Sequence, residues 1–498
     1  MTTIIRTAYR RAGPLKPRTI ISARWNSSGT PPPPSPVQQL YALREIDRLT
    51  TSIAESSPTN AKHLSPLSMR ALPAPWLSSH SPNLASQGDL DAAVTASAST
   101  STSKSSPTTS SSAEIDSLEP RHMSESFTMF DLPLASDPTL YERYVNTSGG
   151  FRMGKLLEHL DSLAGAVAYR HCLPSHEIDS AQAFHEASAK AGLYLATASA
   201  DRLDMFGRLN RDNVRDLKFS GFVTWTGRSS MEVVVKMEGS RVNTPDTKWK
   251  TLMLGRFAMV CRDSKTHRAR QIPPLVVESE EERILQVIGD EHQKRRKTSA
   301  MNALDKVPPS SEEAKELHDL MLQVTDNKST EIDGETVVPM KDTEMETVQL
   351  MHPQDRNLHG KVFGGILMRL LCFTNAALFA SKPLRFLSLD QITFRLPVPI
   401  GAVLRLSSKV VQTTRPHEGP DGEAKVHIMV KAEVEEVETG VRRETNTFFF
   451  TMAKDDHEPL GKVVVPSTYT EAMHYLEGKR RLEVGDEMRR LYQGERPE

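Results

Sequence analysis

The feature that most constrains how this chain can fold is an internal repeat. The stretch 146–168, NTSGGFRMGKLLEHLDSLAGAVA, has a second copy at 357–379, NLHGKVFGGILMRLLCFTNAALF. The two copies align without a gap at an offset of 211 positions. Matched positions are Asn146 with Asn357, Gly149 with Gly360, and Gly154 with Gly365. A chain with such a duplication is expected to contain two folding units of the same kind.

Each repeat copy predicts a helix, and the runs that follow it are rich in β-branched and aromatic residues, which favour strands. The order strand, helix, strand series occurs in both halves. The predicted fold class is therefore α+β, with an antiparallel sheet wrapped around one long helix in each half. The predicted units are a first domain at 121–300, a polar linker at 301–342, a second domain at 343–475 and a helical C-terminal tail at 476–498.

The N-terminal region differs in composition from the rest of the chain. Residues 1–30 are rich in Arg and Ser, and the first acidic residue is Glu45. This pattern is typical of a mitochondrial presequence and predicts a matrix protein, with a disordered basic tail as the alternative. Residues 31–120 contain many Pro, Ser, Thr and Ala residues and few apolar ones, so this segment is interpreted as a linker.

Charge and cysteine content exclude several classes of function. The 62 Lys and Arg residues nearly balance the 63 Asp and Glu residues, which argues against nucleic acid or an anionic membrane as a partner. No run approaches the roughly 18 apolar residues of a membrane span. The three cysteines are widely separated and HExxH is absent, so neither a metal nor a cofactor is predicted. The expected ligand is a small molecule.

Asp161 is the first candidate for a catalytic residue. It shares a helical stripe with Leu157, Ala164 and Ala168, so its carboxyl group should be buried on the apolar face. Burial raises the pKa of a carboxyl group and suits it to general-base catalysis. The equivalent position in the second copy is Cys372. Glu158 and His159, one turn before Asp161, are expected to face solvent.

Glycines form the second candidate feature, because they precede or open both helices. A helix N-terminus with free backbone amides and no nearby Cβ can hold a carbonyl oxygen as it becomes an oxyanion. Glycine before a helix is also common in ordinary loops. The candidate oxyanion-binding and substrate-positioning residues are Met153, Gly154, Gly364 and Gly365.

The combined pattern Asn-x-x-Gly-x(4)-Gly-x(6)-Asp, from Asn146 to Asp161, resembles that of the hotdog-fold acyl-CoA thioesterases. The stretches GFRMGKLLEHLDSLAG and LDQITFRLPVPIGAVLRLSSKV are similar to the mitochondrial thioesterase 9 type, which has two hotdog domains in tandem. The resemblance covers roughly residues 121–475. It implies that acyl-CoA, which carries CoA as part of the substrate, binds at the seam between the two domains and is hydrolysed to a free fatty acid and CoA.

The resemblance also implies residue roles. Asp161 would activate water or attack the thioester, and Asn357 from the other half would orient water or substrate. The complementary site would pair Asn146 with Cys372, lack a carboxylate and be inactive, which leaves one working site per chain. The family further implies a homo-oligomer of two-domain chains.

Two other functions stay open at this point. The chain could be a non-catalytic protein that binds acyl-CoA, since a fold does not determine a function. It could also be an enoyl-CoA hydratase of the same fold, because Asp355, Asn357 and His359 partly match the hydratase motif, although the proline of that motif is missing and the spacing is one residue short. Cys372 is either a buried apolar residue or a nucleophile with His359 as its base.

Overall fold

A computed structural model describes residues 46, 48–50, 118–134, 136–173, 187, 189–209, 216–240, 249–299, 304, 307–326, 331–355, 362, 364–370, 373–416, 418 and 422–494. The predicted presequence at 1–30, nearly all of the 31–120 segment, Asn357 and Cys372 lie outside the described residues. Among the described residues, no helix combines the length and apolar character that crossing a bilayer requires.

The first half of the chain is one long helix packed on an antiparallel sheet. Its elements are β1 (Arg121–His122), β2 (Thr128–Leu132), α1 (Pro138–Glu142), α2 (Met153–Cys172), β3 (Leu193–Ala200), β4 (Leu203–Met205), β5 (Asp216–Thr226), β6 (Ser230–Ser240), β7 (Lys250–Asp263), β8 (Leu275–Val276) and α3 (Glu280–Ser299). Helix α2 carries the first repeat copy. Leu157, Asp161, Ala164 and Ala168 are all fully buried on it, which confirms the predicted stripe.

The second half repeats this plan after a short additional segment. Its elements are α4 (Ser311–Asp326), β9 (Glu331–Ile332), β10 (Glu335–Pro339), β11 (Met345–Leu350), α5 (Gly364–Leu370), α6 (Phe373–Ala380), β12 (Arg385–Leu389), β13 (Ile392–Thr393), β14 (Val403–Thr414), β15 (Lys425–Glu435), β16 (Arg442–Ala453), β17 (Lys462–Val465) and α7 (Tyr469–Gly494). Helices α5 and α6 carry the second repeat copy.

Strand order is the same in both halves. The first half runs β2-β5-β6-β7-β4 and the second runs β11-β14-β15-β16-β12, and all these neighbours are antiparallel. Strands β4 and β12 pair with each other through Asp204 and Ser388, so the halves share one twelve-stranded sheet. This arrangement agrees with the predicted α+β class.

Helices α2 and α5 pack against each other on the inner face of this sheet. The contact is close because Gly154 has no side chain: a Cβ atom there would lie 2.9 Å from both the Cα and the carbonyl oxygen of Arg369. A larger residue would push the two backbones apart. Gly154, which matches Gly365 in the repeat, therefore sets how closely α2 and α5 approach each other.

Helices α3 and α7 lie at the opposite face of the sheet, over β5 and over β14 and β15 respectively. Under α3 a small apolar cluster includes Phe127, Phe222 and Leu285. Helix α7 is the helical tail predicted for 476–498, and it begins earlier, at Tyr469.

One sequence-based expectation about domain organisation differs from the fold. The predicted linker at 301–342 contains α4, β9 and β10, and β10 pairs in parallel with β17. Helix α4 contacts α7 through charged groups, such as the pair of Arg480 with Glu313 at 2.7 Å.

Candidate active site

Asp161 is fully buried at the seam between the two halves. Its Oδ1 accepts a hydrogen bond of 2.9 Å from the hydroxyl of Thr197, which lies on β3 of the same half. Its Oδ2 has no hydrogen-bond partner of ordinary geometry among the described residues. A buried carboxylate with one oxygen left unpaired is costly to keep, and such groups are concentrated at functional sites.

The N-terminus of α5, from the second half, faces this free oxygen. A Cβ built on Gly364 would lie 3.1 Å from Asp161 Oδ2 and 3.1 Å from the Phe394 ring, so only glycine fits without displacement. The backbone N–H of Gly365 is close enough to favour the ionised carboxylate. Asp161 and the glycines that face it therefore belong to different copies of the repeat.

Burial is the largest influence on the pKa of Asp161 and raises it from the ordinary value of 3.8 to about 6. The hydroxyl of Thr197 and the amide of Gly365 lower the pKa, and the negative charge of Glu158 raises it further. A carboxyl group with a pKa near 6 is ionised at neutral pH but is a stronger base than an exposed one. These are the properties that general-base catalysis requires.

Of the four predicted oxyanion-binding residues, the structure brings only Gly364 and Gly365 to Asp161. Met153 and Gly154 lie on the same helix as Asp161, two turns earlier, and Gly154 packs against the backbone of Arg369 in α5. The sequence pattern does not show which helix N-terminus faces Asp161. The helix N-terminus and the carboxylate of one repeat copy need not lie next to each other in the fold.

Asn146 organises the loop that leads into α2. Its Oδ1 accepts hydrogen bonds from the backbone amides of Ser148 and Gly150, at 3.1 and 2.8 Å. Gly149 has a φ of 82°, a conformation that glycine adopts without strain. The Asn-x-x-Gly pattern is thus a loop-forming unit in the first copy, while Asn357 and Cys372 lie outside the described residues.

The expectation that Glu158 and His159 face solvent is wrong. Both are buried, with 6% and 7% of their surfaces exposed. Glu158 Oε2 accepts a hydrogen bond of 3.2 Å from Arg369, and His159 Nε2 lies 2.7 Å from the hydroxyl of Tyr144. Around Glu158 and His159, neither side of α2 is exposed to solvent, because the sheet covers one side and α5 covers the other.

Thr197 was not identified from the sequence. It lies 36 positions after Asp161 in a strand where threonine is common, so its type alone carries little information. The pairing of β3 with β7 shifts register between Thr197 and Ser199. Such irregularities redirect side chains and occur often beside functional sites, but strand periodicity does not reveal them.

A second buried polar cluster lies under α3. Asp201, Glu232 and His292 place possible metal-ligand atoms within 4.8 Å of one another. His292 Nδ1 lies 3.2 Å from Glu232, however, and its Nε2 lies 3.1 Å from a nitrogen of Arg256, which can only donate. Arg296 pairs with Asp201 at 3.4 Å. With both ring nitrogens engaged and the charges balanced, the cluster serves to attach α3 to the sheet.

Comparison with known proteins identifies relatives over most of the chain. It is 33% identical to mitochondrial acyl-coenzyme A thioesterase 9 of Mus musculus, over 73% of this chain and 78% of the mouse protein. It is 32% identical to the Homo sapiens protein of the same name, over 73% and 79% of the two chains. No protein-family model matches the chain.

A solved acyl-CoA hydrolase from Bacillus cereus aligns with 37% of this chain and 94% of its own, at 21% identity and a TM-score of 0.29. The similarity to the mouse and human proteins places this chain in the class of the acyl-CoA thioesterases. The chain belongs to the acyl-CoA thioesterase 9 family.

Proposed function

We propose that the seam around Asp161 hydrolyses acyl-CoA to a free fatty acid and CoA. Membership of the family makes the chain a thioester hydrolase. The observation that carries the assignment of the site is the fully buried carboxyl group of Asp161, with a pKa of about 6, opposite the N-terminus of α5. That combination places a base next to a set of hydrogen-bond donors.

In this mechanism the Asp161 carboxylate removes a proton from a water molecule as the water oxygen attacks the thioester carbon. Negative charge develops on the carbonyl oxygen, and backbone amides at the start of α5, that of Gly364 among them, stabilise it. The C–S bond then breaks. The CoA thiolate leaves and takes up the proton, so that water and acyl-CoA yield one carboxylic acid and one thiol.

Thr197 orients the base in this mechanism, since its hydroxyl holds Asp161 Oδ1 and leaves Oδ2 directed at the α5 N-terminus. Asn357 is proposed to orient the water or the substrate, because it precedes Gly364 in the same copy of the repeat that faces Asp161. Direct attack by Asp161 on the thioester, to give a mixed anhydride that water then hydrolyses, is the covalent variant of the same proposal.

We further propose that each half is a hotdog domain and that the two arose by duplication. The shared strand order and the constant repeat offset support this arrangement. The names of the relatives and the Arg-rich N-terminal segment support a mitochondrial location, in the matrix. Assembly into homo-oligomers of two-domain chains is proposed on the basis of the family resemblance.

The test is thiol release from a panel of acyl-CoA substrates of different chain lengths. The wild type is expected to release CoA from at least one of them. Asp161→Asn should lose at least about 99% of the activity, because general-base catalysis contributes roughly 100- to 10,000-fold. Cys372→Ser should retain the activity.

Three outcomes would contradict the proposal. Activity that survives in Asp161→Asn and is lost in Cys372→Ser would transfer the chemistry to the cysteine. Tight binding of acyl-CoA with no thiol released would identify a binding protein. Loss of enoyl absorbance from an enoyl-CoA without thiol release would identify a hydratase.

A further inference from the structure

Two of the three cysteines lie next to each other in the fold. Cys172 is the last residue of α2, and Cys261 lies on β7. Both are free thiols, and their side chains form a hydrogen bond with each other. The wide spacing of the cysteines in the sequence gives no indication of a redox pair, so this contact becomes apparent only in the fold.

The last turn of α2 is held at this place by a second contact. The hydroxyl of Tyr169, three residues before Cys172, accepts a hydrogen bond of 3.2 Å from the backbone amide of Leu195 on β3. Leu195 is also the residue that pairs with Cys261 across β3 and β7. The end of the helix and the two strands are therefore fixed relative to each other at the position of the two thiols.

The two thiols differ in exposure and in acidity. Cys172 is half-buried, whereas Cys261 is 1% exposed. The hydrogen bond from Cys172 lowers the pKa of Cys261, burial opposes this effect, and the positive charge of Arg270 lowers the pKa further. The same hydrogen bond, together with burial, raises the pKa of Cys172. A thiolate therefore forms first on Cys261, and the Cys172 thiol is its hydrogen-bond donor.

This arrangement suits the formation of a disulfide. A disulfide requires two sulfur atoms that face each other and can approach to about 2.05 Å. Thiols in hydrogen-bond contact meet the first condition, and rotation of the two side chains brings the sulfurs closer. Redox-sensitive cysteines combine a thiolate of lowered pKa with a second thiol that resolves its oxidised form. Cys261 and Cys172 occupy these two positions.

We propose that Cys172 and Cys261 are a peroxide-sensitive thiol pair, which is reversibly oxidised to a disulfide that joins α2 to β7. The Cys261 thiolate attacks one oxygen of hydrogen peroxide, the O–O bond breaks, and the departing hydroxide takes up a proton to leave as water. Cys261 then carries a sulfenic acid. The sulfur of Cys172 attacks the sulfur of Cys261, and the proton of Cys172 goes to the departing hydroxyl group, which leaves as a second water.

The two thiols lose two electrons and two protons in total, and the peroxide takes them up to give two water molecules. Reduction by two molecules of a small thiol reverses the reaction through a mixed disulfide.

The disulfide lies at the same helix–sheet interface as Asp161. Asp161 and Tyr169 both lie on α2, and they contact Thr197 and Leu195 of β3. Strand β7 pairs with β3 along this stretch. A covalent bond between α2 and β7 should stabilise the folded chain, because it restricts the conformations of the unfolded chain.

The test is the thiol content of the full chain before and after treatment with hydrogen peroxide, measured by alkylation in denaturant. The reduced wild type has three thiols per chain, and the oxidised wild type is expected to have one. Peptide mapping should show a peptide that links Cys172 to Cys261, and the chain should lose the mass of two hydrogen atoms. Dithiothreitol should restore all three thiols. A parallel sample of glutathione, fully oxidised under the same conditions, defines the peroxide dose.

Two serine variants separate the pair from the third cysteine. Cys172→Ser should form no disulfide within the chain, and its urea midpoint should be the same with and without peroxide. Cys372→Ser is the matched control, because it keeps both members of the pair and should lose both of its thiols. In the wild type and in Cys372→Ser, oxidation should raise the urea midpoint.

A wild type that keeps three thiols at the dose that fully oxidises glutathione would overturn the proposal. A linked peptide that contains Cys372 in place of Cys172 or Cys261 would do so as well, and so would an equal rise of the urea midpoint in Cys172→Ser. None of these measurements depends on acyl-CoA hydrolysis, so their outcome is independent of the function proposed for the Asp161 seam.

Discussion

Replacement of Asp161 by asparagine should remove the proposed catalytic base and stabilise the folded chain. The pKa of Asp161 is about 6 in the fold against an ordinary value of 3.8, and each pKa unit corresponds to about 1.36 kcal/mol. Below about pH 4 the carboxyl group is protonated in both the folded and the unfolded chain and costs nothing. Between pH 4 and 6 it ionises first in the unfolded chain, and above pH 6 the fold bears the full cost of a buried charge.

The expected gain in unfolding free energy for Asp161→Asn is therefore about 1.6 kcal/mol at pH 5 and about 3 kcal/mol at pH 8. Asparagine keeps an oxygen that can accept the hydrogen bond from Thr197. Other titrating groups are common to both proteins, so the difference between variant and wild type isolates this one carboxyl group. In the wild type, kcat/KM should fall tenfold per pH unit below pH 6, because the base becomes protonated.

Urea unfolding of both proteins at pH 5 and pH 8 measures this difference. Thiol release across the same pH range measures the decrease of kcat/KM at low pH, which is the acid limb of the pH profile. The matched control is Asp319→Asn, an exposed position on α4, where the change should stay within about 0.5 kcal/mol at both pH values. An Asp161→Asn protein that is less stable than the wild type at pH 8, or a difference that does not grow with pH, would refute the account of a desolvated carboxylate.

Three further substitutions probe the surroundings of the base. Thr197→Val removes a hydrogen bond that favours the ionised carboxylate of Asp161, so the acid limb of kcat/KM should move up by roughly one pH unit. Glu158→Gln removes a negative charge that raises the pKa of Asp161, so the limb should move to lower pH in the same assay. Gly364→Ala introduces a Cβ at 3.1 Å from the carboxylate and should lower kcat. Gly165→Ala on α2, where a Cβ meets nothing within 4 Å, should keep the activity and raise stability by up to about 1 kcal/mol in urea unfolding.

The burial of Asp161 could be predicted from the sequence because helical periodicity is a local property. Asp161 falls on a stripe of apolar residues, and a stripe of that kind is buried whatever it packs against. Thr197 could not be predicted, because its contact with Asp161 depends on strand register at a bulge. Whether Gly154 or Gly365 faces the carboxylate depends on how the two helices cross, and a single-chain pattern contains no information on that crossing.

Contacts with distant parts of the chain explain the expectations that the structure contradicts. The sequence predicts solvent exposure for Glu158 and His159 because charged and polar residues are usually exposed. Glu158 is buried against α5, which follows some two hundred residues later and supplies Arg369 as its partner. His159 packs against the rings of Phe130 and Phe219 in the sheet, and its polar partner is Tyr144 in the loop before α2. The polar composition of 301–342 predicts a linker, yet α4 forms an ion pair with α7 and β10 pairs with β17 through backbone hydrogen bonds.

The pair of Glu158 and Arg369 shows that the two copies of the repeat differ where they contact each other. These residues occupy the same position in the two copies of the repeat, 211 residues apart, and their charged groups lie 3.2 Å from each other. In a dimer of identical units, a residue that meets its own copy would face a like charge, which costs about 1 to 4 kcal/mol at 4 Å in water or near a protein surface. A single chain that carries both copies can place opposite charges there instead. The pairing is then possible only because the halves have diverged, and the same divergence permits a carboxylate at position 161 and a thiol at position 372.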